Sequence, residues 1–128
     1  MADYTPIFSG GSIPFTAIAS GAITGGTLVT QSSTDKTVAT SGSGDTAVVG
    51  VAAHDAVSGA ALTVWPVDGP THEITSTGTI AAGSGVAAGA AGVAAGGVIA
   101  TLAAAGTLIG VATKGATGGA LLRFQGRQ

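Results

Sequence analysis

Short apolar stretches broken by turn residues run along most of the chain. Thr27-Leu28-Val29-Thr30, Lys36-Thr37-Val38-Ala39-Thr40 and Ala61-Leu62-Thr63-Val64-Trp65 alternate with period two, as a strand with one buried face does. Ala47-Val48-Val49-Gly50-Val51-Ala52-Ala53 is almost continuously apolar and predicts a central strand. Turn chemistry separates these runs at Thr24-Gly25-Gly26, Ser41-Gly42-Ser43-Gly44-Asp45, Val57-Ser58-Gly59 and Val67-Asp68-Gly69-Pro70. Short strands at regular spacing predict an all-β fold, a small barrel or a sandwich. Ala81–Ala95 is the one stretch whose alanines suggest a helix. Gly83, Gly85, Gly89 and Gly92 argue against it, at about 1 kcal/mol each in a helix interior.

The pattern also repeats. Gly50-Val51-Ala52, Ala56, Gly59-Ala60 and Leu62 recur as Gly110-Val111-Ala112, Ala116, Gly119-Ala120 and Leu122. Upstream, Gly21, Ile23, Gly26 and Val29 match Gly78, Ile80, Gly83 and Val86. Val38 aligns with Val98, which places extra residues of the second copy between Val86 and Val98. The chain therefore divides into an extended N-terminal arm, 1–15, and a single β-domain, 16–128. That domain is built from two duplicated β-units at about 16–67 and 73–125, each of strand, strand, long strand, turn and strand.

Composition narrows the function. In 128 residues there are 23 Gly and 26 Ala, only 8 % of residues are charged, and the net charge is −2. Four basic residues cannot lay a nucleic-acid footprint. The lack of cysteine excludes disulfides and thiolate metal sites. Large apolar side chains are few, each contributing roughly 1.5–3 kcal/mol when buried. Backbone ordering costs about 1–2 kcal/mol per residue, and most for glycine. Association with copies of itself or with a larger surface is therefore expected to add stability. Ile74–Thr113 is uncharged, and mean hydropathy is +0.57. Its many glycines, few leucines and lack of flanking aromatics predict no membrane span. The start, Met1-Ala2-Asp3-Tyr4-Thr5-Pro6, lacks the basic and apolar parts of a signal peptide, so the protein is expected to be made and kept in a cytoplasm until it meets its partner.

Candidate chemistry is sparse. His54-Asp55 and His72-Glu73 each set a histidine beside a carboxylate, and their spacing matches no metal-ligand motif. They are expected to be solvent-facing pairs at strand ends, with no metal and no cofactor. In the second copy Lys114 and Gly115 stand where His54 and Asp55 stand in the first. No G-x-S-x-G nucleophile turn is present. Gly42-Ser43-Gly44-Asp45-Thr46-Ala47 spells G-x-G-x-x-A, but strand-like residues follow where a phosphate site needs a helix, so a hairpin loop is expected. An enzyme is not expected.

Two features suit binding instead. The arm lies outside the duplication and gathers Tyr4, Pro6, Ile7, Phe8, Ile13 and Phe15. Proline keeps such a segment extended, and it can add to a neighbour's sheet edge or fold back on its own domain. Trp65 closes a strand as either a core side chain or an interface anchor, and its counterpart in the second copy is Gln125.

Several stretches also resemble a known family. They are Ala2-Asp3-Tyr4-Thr5-Pro6, Ser20–Val29, Val49–Ala60 with its Val49-Gly50-Val51-Ala52-Ala53-His54-Asp55 core, and Ile109-Gly110-Val111-Ala112 with the strand after it. Together they resemble the head decoration, or capsid cement, proteins of tailed bacteriophages (a DUF2190-like group), and the resemblance spans nearly the whole chain. It implies a β-rich homotrimer on the outer surface of a phage capsid, bound to the major capsid protein and stabilising the head without chemistry. In that setting Tyr4, Pro6, Ile7, Phe8, Ile13 and Phe15 are the expected capsid-binding residues. The alternative is another non-catalytic β-module, such as a tail or fibre component or a carbohydrate-binding domain. Nucleic acid and membrane are not expected partners.

Overall fold

A computed structural model describes residues 4–7 and 11–126. The first half holds β1 (Phe15–Ala19), β2 (Leu28–Gln31), β3 (Thr37–Thr40), β4 (Val48–Ala52) and β5 (Ala61–Pro66). They form a closed barrel in the order β1-β3-β2-β4-β5, with β1 returning to pair β5. The second half holds β6 (Thr71–Thr75), β7 (Gly85–Ala88), β8 (Ala94–Gly97), β9 (Gly110–Lys114) and β10 (Leu121–Gly126), in the order β6-β10-β9-β7-β8. The fold is all-β, as expected, with a closed barrel and a second sheet packed against it. Each half contains five strands rather than four, because β1 and β6 open the units. Their short runs, Phe-Thr-Ala-Ile-Ala and Thr-His-Glu-Ile-Thr, carry too few large residues to stand out by periodicity.

The two halves repeat each other strand by strand. β2 pairs β3 and β4, β4 pairs β5, and β5 pairs β1; β7 pairs β8 and β9, β9 pairs β10, and β10 pairs β6. Smaller details match as well. The bridge Ile23↔Ala56 has its counterpart in Ile80↔Ala116. Gly59 N–H donates to the Ala19 carbonyl at 2.7 Å, and Gly119 N–H donates to that of Ser76 at 2.9 Å.

Register corrects one part of the alignment. Ala19↔Val38 corresponds to Ser76↔Ala94, so the counterpart of Val38 is Ala94 and not Val98. The second copy's extra residues lie after β8. There they form α1 (Ile99–Ala105), a short helix that the strand pattern did not predict. It has no side-chain cap, and it stops at Gly106 in the left-handed conformation. Residues 42–47 are not a hairpin loop. β3 and β4 are separated by β2 in the barrel, so this loop crosses over β2.

Gly50 and Gly110 show why the repeated strands keep a glycine. A Cβ on Gly50 would overlap the Trp65 carbonyl and come within 2.6 Å of Val64. One on Gly110 would overlap the Gln125 carbonyl and come within 2.7 Å of the Phe124 ring. Backbone from the neighbouring strand occupies the space that any side chain would need.

Packing then separates the halves. Ala17, Ala19, Ile23, Val29, Val38, Ala52, Leu62 and Val64 fill the barrel. The equivalent positions of the second half carry Ile74, Ile80, Val86, Ala94, Ala112, Leu122 and Phe124, with Ser76 in the place of Ala19. Those apolar residues merge with Leu28, Val48, Val51 and Val67 of the first half into one buried cluster. Backbone bonds reinforce the joint: Gly44 N–H to the Ala88 carbonyl at 3.3 Å, and Gly92 N–H to that of Ser41 at 3.0 Å. Among the described residues no helix is long and apolar enough to cross a membrane.

Candidate functional site

The N-terminal segment meets the second half at His72. β6 begins the second unit, and His72 occupies the position that Phe15 holds in β1. It points inward and is fully buried, stacked between Tyr4 at 5.8 Å and Phe124 at 5.5 Å between ring centroids. Its expected place at a solvent-facing strand end is therefore wrong. Here an imidazole does the packing work of an aromatic core residue, because both of its nitrogens find partners. The Pro66 carbonyl can only accept, so Nε2–H donates to it at 2.8 Å. Nδ1 is then an acceptor, and the Tyr4 hydroxyl donates to it at 2.7 Å. The same hydroxyl accepts the Glu73 N–H at 3.2 Å. Burial lowers the His72 pKa from its ordinary value, the Pro66 bond opposing the shift, and burial pushes the Tyr4 phenol well above the usual range.

Tyr4 and Pro6, both expected to reach a capsid, are committed to their own domain. Tyr4 N–H donates to the Ala53 carbonyl at 2.6 Å, Pro6 is buried, and Ile7 N–H donates to the Thr71 carbonyl at 2.9 Å. The segment thus lies along the free edge of β6 and covers it, so the fold-back alternative holds for these residues. Phe8 lies outside the described residues. The outward apolar groups are Ile7 (36 % exposed), Ile13 (80 %) and Phe15 (40 %), with Ile18 beside them on β1. Phe15 belongs to β1 rather than to a separate arm.

Trp65 faces away from the barrel interior, alternating with the inward Leu62 and Val64, and is half-buried opposite Val51. It is neither a full core residue nor a freely projecting anchor. His54 and Asp55 brace turns: Thr63 N–H donates to His54 Nε2 at 3.2 Å, and Gly25 N–H to Asp55 Oδ1 at 2.9 Å. In the Gly42–Ala47 loop, Gly42 N–H donates to Asp45 Oδ2 at 2.7 Å, so the loop's own carboxylate takes the place a phosphate would need.

No group of three or more His, Cys, Asp or Glu side chains suited to a metal ion gathers among the described residues. Open grooves mark the surface of the described residues. One of about 330 Å³ runs beside Tyr4, Ile7, Gly25, Glu73 and Leu121; another of about 270 Å³ lies between Asp45, Val48, Ala103 and Ile109. In the first, Glu73 is tied to Arg123 across the β6–β10 ladder at 3.1 Å.

The sequence reading passed over His72 as a partner of Tyr4. The signal was available in the repeat, where His72 aligns with the aromatic Phe15. It also passed over Ile18, a second exposed apolar side chain of β1.

No protein-family model matches the chain, and no curated protein matches it. Among solved structures, the chain is similar to the N base of the head fibre gp8.5 of bacteriophage phi29. The TM-score is 0.68, at 19 % identity, over 90 % of this chain and 93 % of that one. The two proteins share a fold. This likeness bears on a phage head protein and gives no support to the DUF2190-like group in particular.

Proposed function

We propose that the chain is a structural protein of a bacteriophage virion, mounted on the head. One observation carries this reading: the likeness to the head-fibre base spans both chains almost end to end, through both halves and the joint between them. The finer reading is capsid decoration, in which the protein binds across neighbouring major capsid protein subunits on the outer surface, as a homotrimer, and stabilises the shell. Such a role asks for a contact surface and no catalytic centre. It also suits a chain with few charges, because lattice binding adds stability by mass action and by multivalency.

The residues proposed for capsid contact are Ile7, Ile13 and Phe15, the outward members of the N-terminal region, while Tyr4 and Pro6 hold that region in place. Co-sedimentation with purified heads tests this. The wild-type protein is expected to pellet with heads, and I13D and F15D together are expected to abolish pelleting without unfolding the free protein. Undiminished pelleting of the double variant would remove these residues from the interface.

A second reading has its own support, since the similar structure is the base of a fibre. In that case the domain seats a projecting fibre on the head. Negative-stain images of decorated heads separate the two: low-relief density supports decoration, and radial fibres support the base.

A further inference from the structure

The geometry points to a proton-operated latch: neutral His72 holds the N-terminal segment against β6, and protonation of His72 releases it. This is independent of the capsid reading and rests on one chain of hydrogen bonds. Glu73 N–H donates to the Tyr4 oxygen, the Tyr4 hydroxyl donates to His72 Nδ1, and His72 Nε2–H donates to the Pro66 carbonyl.

Every link in that chain is directional, and only the neutral ring satisfies it. A proton added to Nδ1 meets the Tyr4 oxygen as a second donor. That oxygen already accepts from Glu73, and its own proton must then turn from the only acceptor it has in this arrangement. The new cation would also be enclosed, with the Tyr4 ring on one side and the Phe124 ring on the other. A buried charge without a counter-ion is costly. Among the described residues, the groups on the elements packed around His72 supply none. The N-terminal segment brings the neutral Tyr4, β5 brings the Pro66 carbonyl, and β10 brings Phe124 and Arg123. Glu73 on β6 is the nearby carboxylate, and it is engaged by Arg123 at 3.1 Å. Lifting Tyr4 away is the simplest relief, because it opens the ring to water at the expense of a few segment contacts. Those contacts are the Tyr4 N–H bond to Ala53, the Ile7 N–H bond to Thr71, the buried Pro6 and the packing of the Tyr4 ring on the core.

The first half provides the control. Its equivalent of His72 is Phe15, 40 % exposed where His72 is fully buried, and H72F keeps an aromatic ring in β6 while removing the proton site. Amide hydrogen exchange of the full-length protein, corrected for the intrinsic pH dependence of exchange, reads the latch at Glu73 and Ile7. In the wild type these amides are expected to exchange about tenfold faster at about pH 4.5 than at about pH 7.5. Amides of β4 and β9 should stay protected. In H72F the step should vanish. Y4F, which keeps the ring but loses the hydroxyl, should exchange fast at Glu73 at both pH values, and it serves if H72F does not fold. Protection at Glu73 that is unchanged while the His72 imidazole titrates by NMR would overturn the latch. So would an acid step of equal size in H72F, which would assign release to another group.

Discussion

The two halves of this chain began from one pattern and reached different mechanical states. The first closes on itself: β1 pairs β3 in parallel through Ile18↔Thr37 and Ala19↔Val38, around a private core of small and β-branched residues. In the second, the same closure is reduced to the bridge Ser76↔Ala94, and the interior is shared with the outer face of the first barrel. Larger groups fill it, Phe124 where the first half has Val64 and Ile74 where it has Ala17. The free edge of β6 is covered by the N-terminal segment instead of by a neighbouring strand. The comparison shows how a chain poor in bulky residues is stabilised: one unit is self-contained, and the other concentrates its few large side chains at the joint.

That account can be broken most sharply at the equivalent core positions. F124A should cost about 3–5 kcal/mol, as large-to-small aromatic substitutions do, and V64A about 2 kcal/mol, measured by chemical denaturation. F124A should also loosen first-half residues such as Val51, because they share its cluster. Equal costs, or an effect of F124A confined to the second half, would contradict the shared core. Next in size are G50A and G110A. Each places a methyl group against the neighbouring strand's backbone, and a loss of about 1–3 kcal/mol is expected for both. A tolerated change at one site alone would show that the two halves do not pack these strands alike.

A pH titration of stability sharpens the contrast between His72 and Phe15. The folded-state pKa of His72 is lowered, so the unfolded chain binds its proton first. Its contribution is fully present above the unfolded value of about 6.5 and falls as the pH drops from there toward the folded value. H72F should flatten this part of the profile. The smallest effect is expected at α1, which only the second half has. Leu102 is its half-buried contact, lying over Gly85 and Gly97. L102A should cost about 1 kcal/mol, less than a fully buried leucine would.

Much of the fold was legible because the signals are local. Alternation in Leu28–Gln31, Thr37–Thr40 and Ala61–Pro66 marked those strands, and glycine kept Ala81–Ala95 from being read as a helix. The repeat showed that the halves would resemble each other. What escaped depended on distant partners. β6 reads as polar, and His72 as a surface residue, until Tyr4, Pro66 and Phe124 are placed around it. α1 has no capping residue and buries none of its residues fully, so only the glycine-free run from Val98 to Ala105 before Gly106 hinted at it. The candidate contact surface was half legible. Ile13 and Phe15 are exposed, whereas Tyr4 and Pro6 turned inward, because a free strand edge in the same molecule lies within their reach.

The central claim, that this protein serves a phage head by binding it, is tested most directly by heating purified heads with and without it. Release of packaged DNA, followed by a dye, should shift to higher temperature as the protein is added, and the shift should saturate at a fixed ratio of protein to capsid subunits. Rupture at the same temperature at every ratio, with the protein left in the supernatant, would contradict the account.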